Sequence, residues 1–209
     1  SNAGARIALR AFDGAPIADD YDLLARWWQQ RHALSEERVA LYYNTISLHD
    51  GNRSPDGGGT WRGEYPRRAR KLLDDINRFI GDLETSGARA IVVFVPEHGA
   101  AFQPGRGQIA GLRQVPNPGI TDVPVGVRFV GLRLRDFERP LRVASSSSYL
   151  GLNLLLANVL QAAEEDAAPI DLARMLARPQ VTPFVAENDG LLVVRGADGY
   201  HTRGPDGRW

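Results

Sequence analysis

Glu97 and His98, adjacent in the chain and set between Val95-Pro96 and Gly99, are the residues best suited to chemistry. A carboxylate offers an oxygen donor and an imidazole a nitrogen donor, and both types ligate zinc. The run Ala90-Ile91-Val92-Val93-Phe94 before them reads as a buried strand. In open α/β sheets ligands gather outside the carboxyl ends of strands, where a metal or a phosphoryl group would belong. Neighbours on a regular strand point to opposite faces, so a turn at Gly99 is needed to bring both onto one target. The bland alternative is a polar strand end whose side chains hydrogen-bond only to loop backbone.

His49 ends a second segment of this kind. Residues 38–48 are rich in β-branched and aromatic side chains and read as a strand that delivers His49-Asp50-Gly51-Asn52. Asn44 and Asp50 can orient the imidazole or serve as turn formers. Arg113, in the irregular glycine- and proline-rich stretch 100–124, can clamp phosphoryl oxygens with its guanidinium fork, or be one of several loop arginines. His32 and His201 read as ordinary surface residues. Ser145 to Ser148 have no adjacent base and sit where helix caps belong, so none is a candidate nucleophile.

These groups need elements to hold them. Residues 7–12 alternate loosely and suggest an edge strand. Asp19 and Asp20 give an acidic start to a helix carrying Leu23, Leu24, Trp27 and Trp28. The two tryptophans, on consecutive helical positions, cannot both face the core. Residues 53–63 read as a loop or lid. Tyr65, Ala69, Leu72, Leu73, Ile76, Phe79, Ile80 and Leu83 then recur at gaps of three and four, the spacing of an amphipathic helix closed by Gly87. Strand, helix, strand in that order predicts a βαβ crossover and parallel neighbours, which would bring His49 to the same sheet edge as Glu97 and His98. Further on, the pattern predicts a strand over 125–132, a nearly all-apolar helix over 149–163, a short helix over 170–176 and a β-hairpin over 190–203.

With 209 residues, one sizeable domain or a large piece of one is expected. Basic and acidic residues balance at 25 each, so no long-range field draws the chain to nucleic acid or to an anionic membrane. The cluster Arg67-Arg68-Ala69-Arg70 reads as a solvated helix face. Cysteine is absent, which excludes disulfides and thiolate ligands within this chain. No apolar run reaches bilayer-spanning length. Ser1-Asn2-Ala3 looks like an expression-tag remnant on a piece cut from something longer, leaving 4–209 as the folded portion.

Four motifs in series make the chain similar to a known family. Residues 43–52 (YNTISLHDGN), 95–99 (VPEHG), 111–113 (GLR) and 120–127 (ITDVPVGV) closely resemble the periplasmic domain of the cellulose biosynthesis BcsG family. The likeness runs from about Ala11 to the end of the chain. It implies a three-layer α/β fold, alkaline-phosphatase-like, with a mainly parallel sheet between helices, of which this chain would be the C-terminal portion. It also implies a zinc-dependent phosphoethanolamine transferase, anchored in a bacterial inner membrane by upstream helices, with phosphatidylethanolamine as donor and cellulose as acceptor. In that resemblance Glu97 and His98 match zinc ligands, His49 an active-site histidine and Arg113 an active-site arginine. The family's cysteine ligand and serine nucleophile have no counterpart here. The chain alone is therefore expected to hold Zn2+ weakly or not at all, and to be inactive. Two other readings stay open: a sulfatase- or phosphatase-like hydrolase, and a non-catalytic module docking onto cellulose synthase subunits through aromatics such as Trp28 and Trp61.

Overall fold

The computed structural model of the protein describes residues 4–55, 59–99, 115–116, 118–135, 140–177 and 185–209. The chain divides into two units, residues 1–89 and 90–209.

In the first unit, β1 (Ile7–Arg10) pairs antiparallel with β2 (Pro16–Ala18), and α1 (Asp20–Arg31) follows at once. Asp19 is the N-cap of α1, its carboxylate accepting from the Asp22 N–H, as the acidic doublet predicts. The long helix α2 (Trp61–Thr85) is capped by Thr60, whose hydroxyl accepts from the Gly63 N–H, so the expected loop over 53–63 is corrected at its end: 61–63 are the first turn of the helix. Its chain direction changes at Gly87, where the Ala88 N–H reaches back to the Leu83 carbonyl at 3.1 Å. Leu72, Phe79 and Leu83 of α2 are buried, and α1 packs beside it with Leu24 inward. Trp27 and Trp28 are both half-buried with ring centroids 6.0 Å apart, and Trp28 meets the His32 ring edge-on.

Residues 38–46 form neither helix nor strand. β-branched residues there suit a pleated ladder, but the segment instead directs Tyr43 and Ser47 onto a carboxylate of α1. The expected crossover is therefore corrected: the strand that should precede α2 does not form.

The second unit opens with β3 (Ala90–Phe94), paired antiparallel along its whole length with β4 (Gly126–Val130). Between them lies the short helix α3 (Pro118–Thr121). Helix α4 (Tyr149–Glu165), capped by Ser148, and α5 (Leu172–Leu176), capped by Asp171, bury Val159, Ile170 and Leu172 against Ile91, Phe129 and Leu155. The tail forms an antiparallel meander of β5 (Val185–Asn188), β6 (Leu191–Arg195) and β7 (Tyr200–Arg203), so the expected hairpin carries one further strand.

The structure thus holds helices with small antiparallel sheets, compatible with an α/β class. A mainly parallel sheet in three layers is not what these strands make. Every ladder among the described residues is antiparallel, and the one parallel contact is the isolated bridge between Leu134 and Ile170. Among the described residues no helix is long and apolar enough to cross a membrane.

Candidate functional site

His49 sits in a turn held by main-chain and side-chain bonds within the first unit. The His49 N–H donates to the Ile46 carbonyl at 3.0 Å, and the Asn52 N–H donates to the His49 carbonyl at 3.3 Å. Asn52, buried, also gives its side-chain amide to the Ile46 carbonyl. Gly51 has φ +84°, and a Cβ there would lie 3.0 Å from the Phe12 Cβ, so both backbone shape and space call for glycine. The His49 ring is exposed, with Nδ1 2.9 Å from the Asp50 carbonyl. A carbonyl only accepts, so Nδ1 carries the hydrogen and Nε2 of the neutral ring carries the lone pair. The orienting partner is thus the main chain of Asp50 rather than its carboxylate.

The turn is anchored from two helices. Asp20, buried at the start of α1, accepts from the Tyr43 hydroxyl at 2.6 Å and from the Ser47 hydroxyl. Burial and then the Asp20 carboxylate push the Tyr43 phenol well above its ordinary pKa. Arg68 of α2 donates through Nη1 to the carbonyls of Ser47 at 2.8 Å and His49 at 3.2 Å. At 3% exposure it is buried, which corrects its reading as part of a solvated face. Desolvation draws its pKa below the usual guanidinium value, countered by the charges of Glu64 and Asp50. Beside these, Asp19 takes ion pairs from Arg6 at 2.6 Å and Lys71 at 2.7 Å, and Lys71 also binds Asp75.

Sequence reasoning missed this polar cluster. A signal was present: Arg68 falls on the same helical stripe as Leu72, Phe79 and Leu83, where a charged residue is unexpected.

Glu97 and His98 follow β3 in the second unit, both exposed. Nδ1 of His98 lies 3.0 Å from the Gly99 carbonyl, which assigns the same tautomer as at His49. Gly99 is tied down: its N–H donates to the Ile120 carbonyl at 2.6 Å. It is not at positive φ; glycine is required because an added Cβ would stand 2.2 Å from the Gly119 carbonyl oxygen. The strand end is therefore pressed against α3.

His49 thus belongs to the first unit, and Glu97 with His98 to the second. Arg113 lies outside the described residues, as does the side chain of Trp61. Asn44 is exposed in the segment leading to His49. Among the described residues no three His, Cys, Asp or Glu side chains gather as a metal-binding group. Glu97 and His98 are two donors where a tetrahedral zinc needs three or four. This donor set does not by itself fit a resident zinc.

The family model for the cellulose biosynthesis protein BcsG C-terminal domain matches residues 1–209. The chain belongs to this family. It is 37% identical over 204 residues to the BcsG of Escherichia coli (strain K12) and 36% identical over 203 residues to that of Salmonella typhimurium (strain LT2). Each match covers 97% of this chain and 36% of the relative, so the chain spans about a third of the length of the curated BcsG proteins it matches. Both relatives are, by name, cellulose biosynthesis proteins.

Proposed function

We propose that this chain is the C-terminal portion of the alkaline-phosphatase-like catalytic domain of a zinc-dependent phosphoethanolamine transferase that modifies cellulose in the periplasm. The observation that carries the reading is membership of the BcsG C-terminal domain family along the whole chain. It is supported by two histidines whose Nδ1 atoms are each engaged by the following carbonyl, so that Nε2 carries the lone pair at both.

In this reading, a serine displaces diacylglycerol from phosphatidylethanolamine to form a phosphoethanolamine ester, and the 6-hydroxyl of a cellulose glucose then takes the group and releases the serine. His49, through Nε2, takes the proton from the attacking hydroxyl, a role that requires the neutral tautomer its Asp50 contact selects. Arg113 holds phosphoryl oxygens with its guanidinium fork. Glu97 and His98 supply two donors to a zinc site whose other ligands, a cysteine among them, come from the rest of the protein. The serine nucleophile comes from there too, and so do the further strands of a sheet flanked by helices in a three-layer fold. The membrane anchor and the contacts with cellulose synthase subunits also belong to that larger protein.

The test uses the full-length protein with phosphatidylethanolamine in detergent micelles and cellopentaose as acceptor, products read by mass spectrometry. His49→Ala and Glu97→Gln should each lower transfer by at least ~100-fold, and the 209-residue chain alone should show none. Release of free phosphoethanolamine with no labelled cellopentaose would favour the hydrolase reading. Full activity in both variants, with cellulose synthase subunits still captured, would favour a docking module.

A further inference from the structure

We propose that Arg68 is a positioning residue that sets the location of His49 by gripping the main chain on both sides of Leu48. This rests on the role given to His49 above, and deepens it.

Burying a cation among apolar side chains is costly unless its donors are met. The face of α2 that carries Arg68 otherwise presents Leu72, Phe79 and Leu83, and a leucine at position 68 would complete that stripe without any such cost. One guanidinium nitrogen, Nη1, instead donates to two carbonyl oxygens two residues apart, Ser47 O at 2.8 Å and His49 O at 3.2 Å. Those carbonyls flank the backbone from which the imidazole projects. Both bonds leave the one nitrogen Nη1, whose two N–H directions are fixed in the guanidinium plane, whereas the N–H groups of an ammonium rotate on a flexible stem. Arginine can therefore dictate the path of the 47–49 backbone in a way lysine cannot.

The surroundings make the grip rigid. The Tyr65 ring lies beneath the guanidinium, its centroid 5.8 Å from Cζ. Asp20 holds Ser47 from the other helix, and Asn52 closes the turn onto Ile46. The imidazole itself is exposed and oriented by the Asp50 carbonyl, so its position follows the backbone rather than side-chain packing. Proton transfer falls steeply with misplacement of about 1 Å, which makes backbone position the quantity that matters. Arg68 touches no reacting atom; it acts through His49.

The experiment is a double-mutant cycle in the full-length protein, with phosphatidylethanolamine and cellopentaose. Arg68→Lys and Arg68→Met should lower kcat by about 10- to 100-fold with KM changed less than about two-fold. In a His49→Ala background the same replacements should cost no more than about two-fold further, since the residue they act through is gone. A second reading needs no activity. In the 209-residue chain, which has four histidines, the His49 ring resonance should shift in Arg68→Lys and stay in place in the exposed control Arg70→Lys. Wild-type kcat in Arg68→Lys together with an unmoved His49 resonance overturns the proposal. So does a loss that multiplies fully onto that of His49→Ala. Should His49→Ala itself keep wild-type kcat, the assignment of His49 fails; should it lose activity while both Arg68 variants keep theirs, only the positioning role fails.

Discussion

Replacing Gly99 with alanine sets a methyl group 2.2 Å from the Gly119 carbonyl oxygen. Real Cβ contacts essentially never fall below 3.0 Å, so the strand end and α3 must part by about 1 Å. The conflict is backbone oxygen against Cβ, and no rotamer relieves it. Overpacking of this kind costs about 1–3 kcal/mol. Parting also strains the 2.6 Å bond from the Gly99 N–H to the Ile120 carbonyl. Its loss adds about 0.5–1.5 kcal/mol, for a total near 2–4 kcal/mol. Urea unfolding of the 209-residue chain, followed by circular dichroism, should show a lower midpoint at unchanged slope. Gly81→Ala is the matched control: nothing lies within 4 Å of its added Cβ, and it sits inside α2. There alanine should stabilise by about 0.5–1 kcal/mol through helix propensity and a less flexible unfolded chain. One substitution type should therefore move the midpoint in opposite directions at two positions. A Gly99→Ala variant as stable as the unaltered chain would refute the reasoning. In the full-length protein the same variant should lose transfer by roughly 100-fold, because the shift falls on Glu97 and His98.

Val159, at 0% exposure in the core of the second unit, should lose about 2–3 kcal/mol as Val159→Ala, by transfer and cavity terms, measured by urea midpoint. Asp20→Ala removes the acceptor of two hydroxyls, and about 2–4 kcal/mol of destabilisation is expected in the same assay; no change would mean water replaces the carboxylate fully. Burial pushes the Asp19 carboxyl up, but Lys71, the Asp22 N–H and Arg6 outweigh it and leave it below its ordinary value. The stability it adds is present above about pH 4 and lost as pH falls through the folded value. Lys71→Met should therefore destabilise more at about pH 7 than at a pH below the folded value of Asp19, where neither Asp19 nor Asp75 needs a cation. Lys71 itself, held above its ordinary value against burial by Asp19 and Asp75, stabilises below about pH 10 and ceases to do so as pH rises through its folded value.

Much of the secondary structure was legible because it is local. Asp19 and Ser148 cap the helices that begin beside them, and the three- and four-residue recurrence of apolar positions marks α2, though not its first turn. The apolar run 90–94 forms a strand as its composition suggests. The segment 38–48 is not a strand because strand propensity reports only suitability for a pleated surface, and among the described residues no partner strand pairs with it. With that strand gone, the parallel crossover argued from element order goes as well. His49, Glu97 and His98 were visible as residue types at chain turns, but the carbonyls that set their tautomers were not. Arg68 went unnoticed as an anchor because a run of arginines on a helix is usually solvated.

Residue order and type by themselves determined where α1 and α4 start, which positions are apolar, and which side chains are chemically competent, since each depends on neighbours within a few residues. Only the tertiary structure decided that Asp20 and Arg68, 48 positions apart, both hold the turn that carries His49. It also decided that Gly99 is needed for a close approach to Gly119 rather than for a left-handed turn. The reason is physical: burial, backbone contact and the direction of a strand pair depend on groups remote in the chain, and no local pattern encodes which remote group will be there.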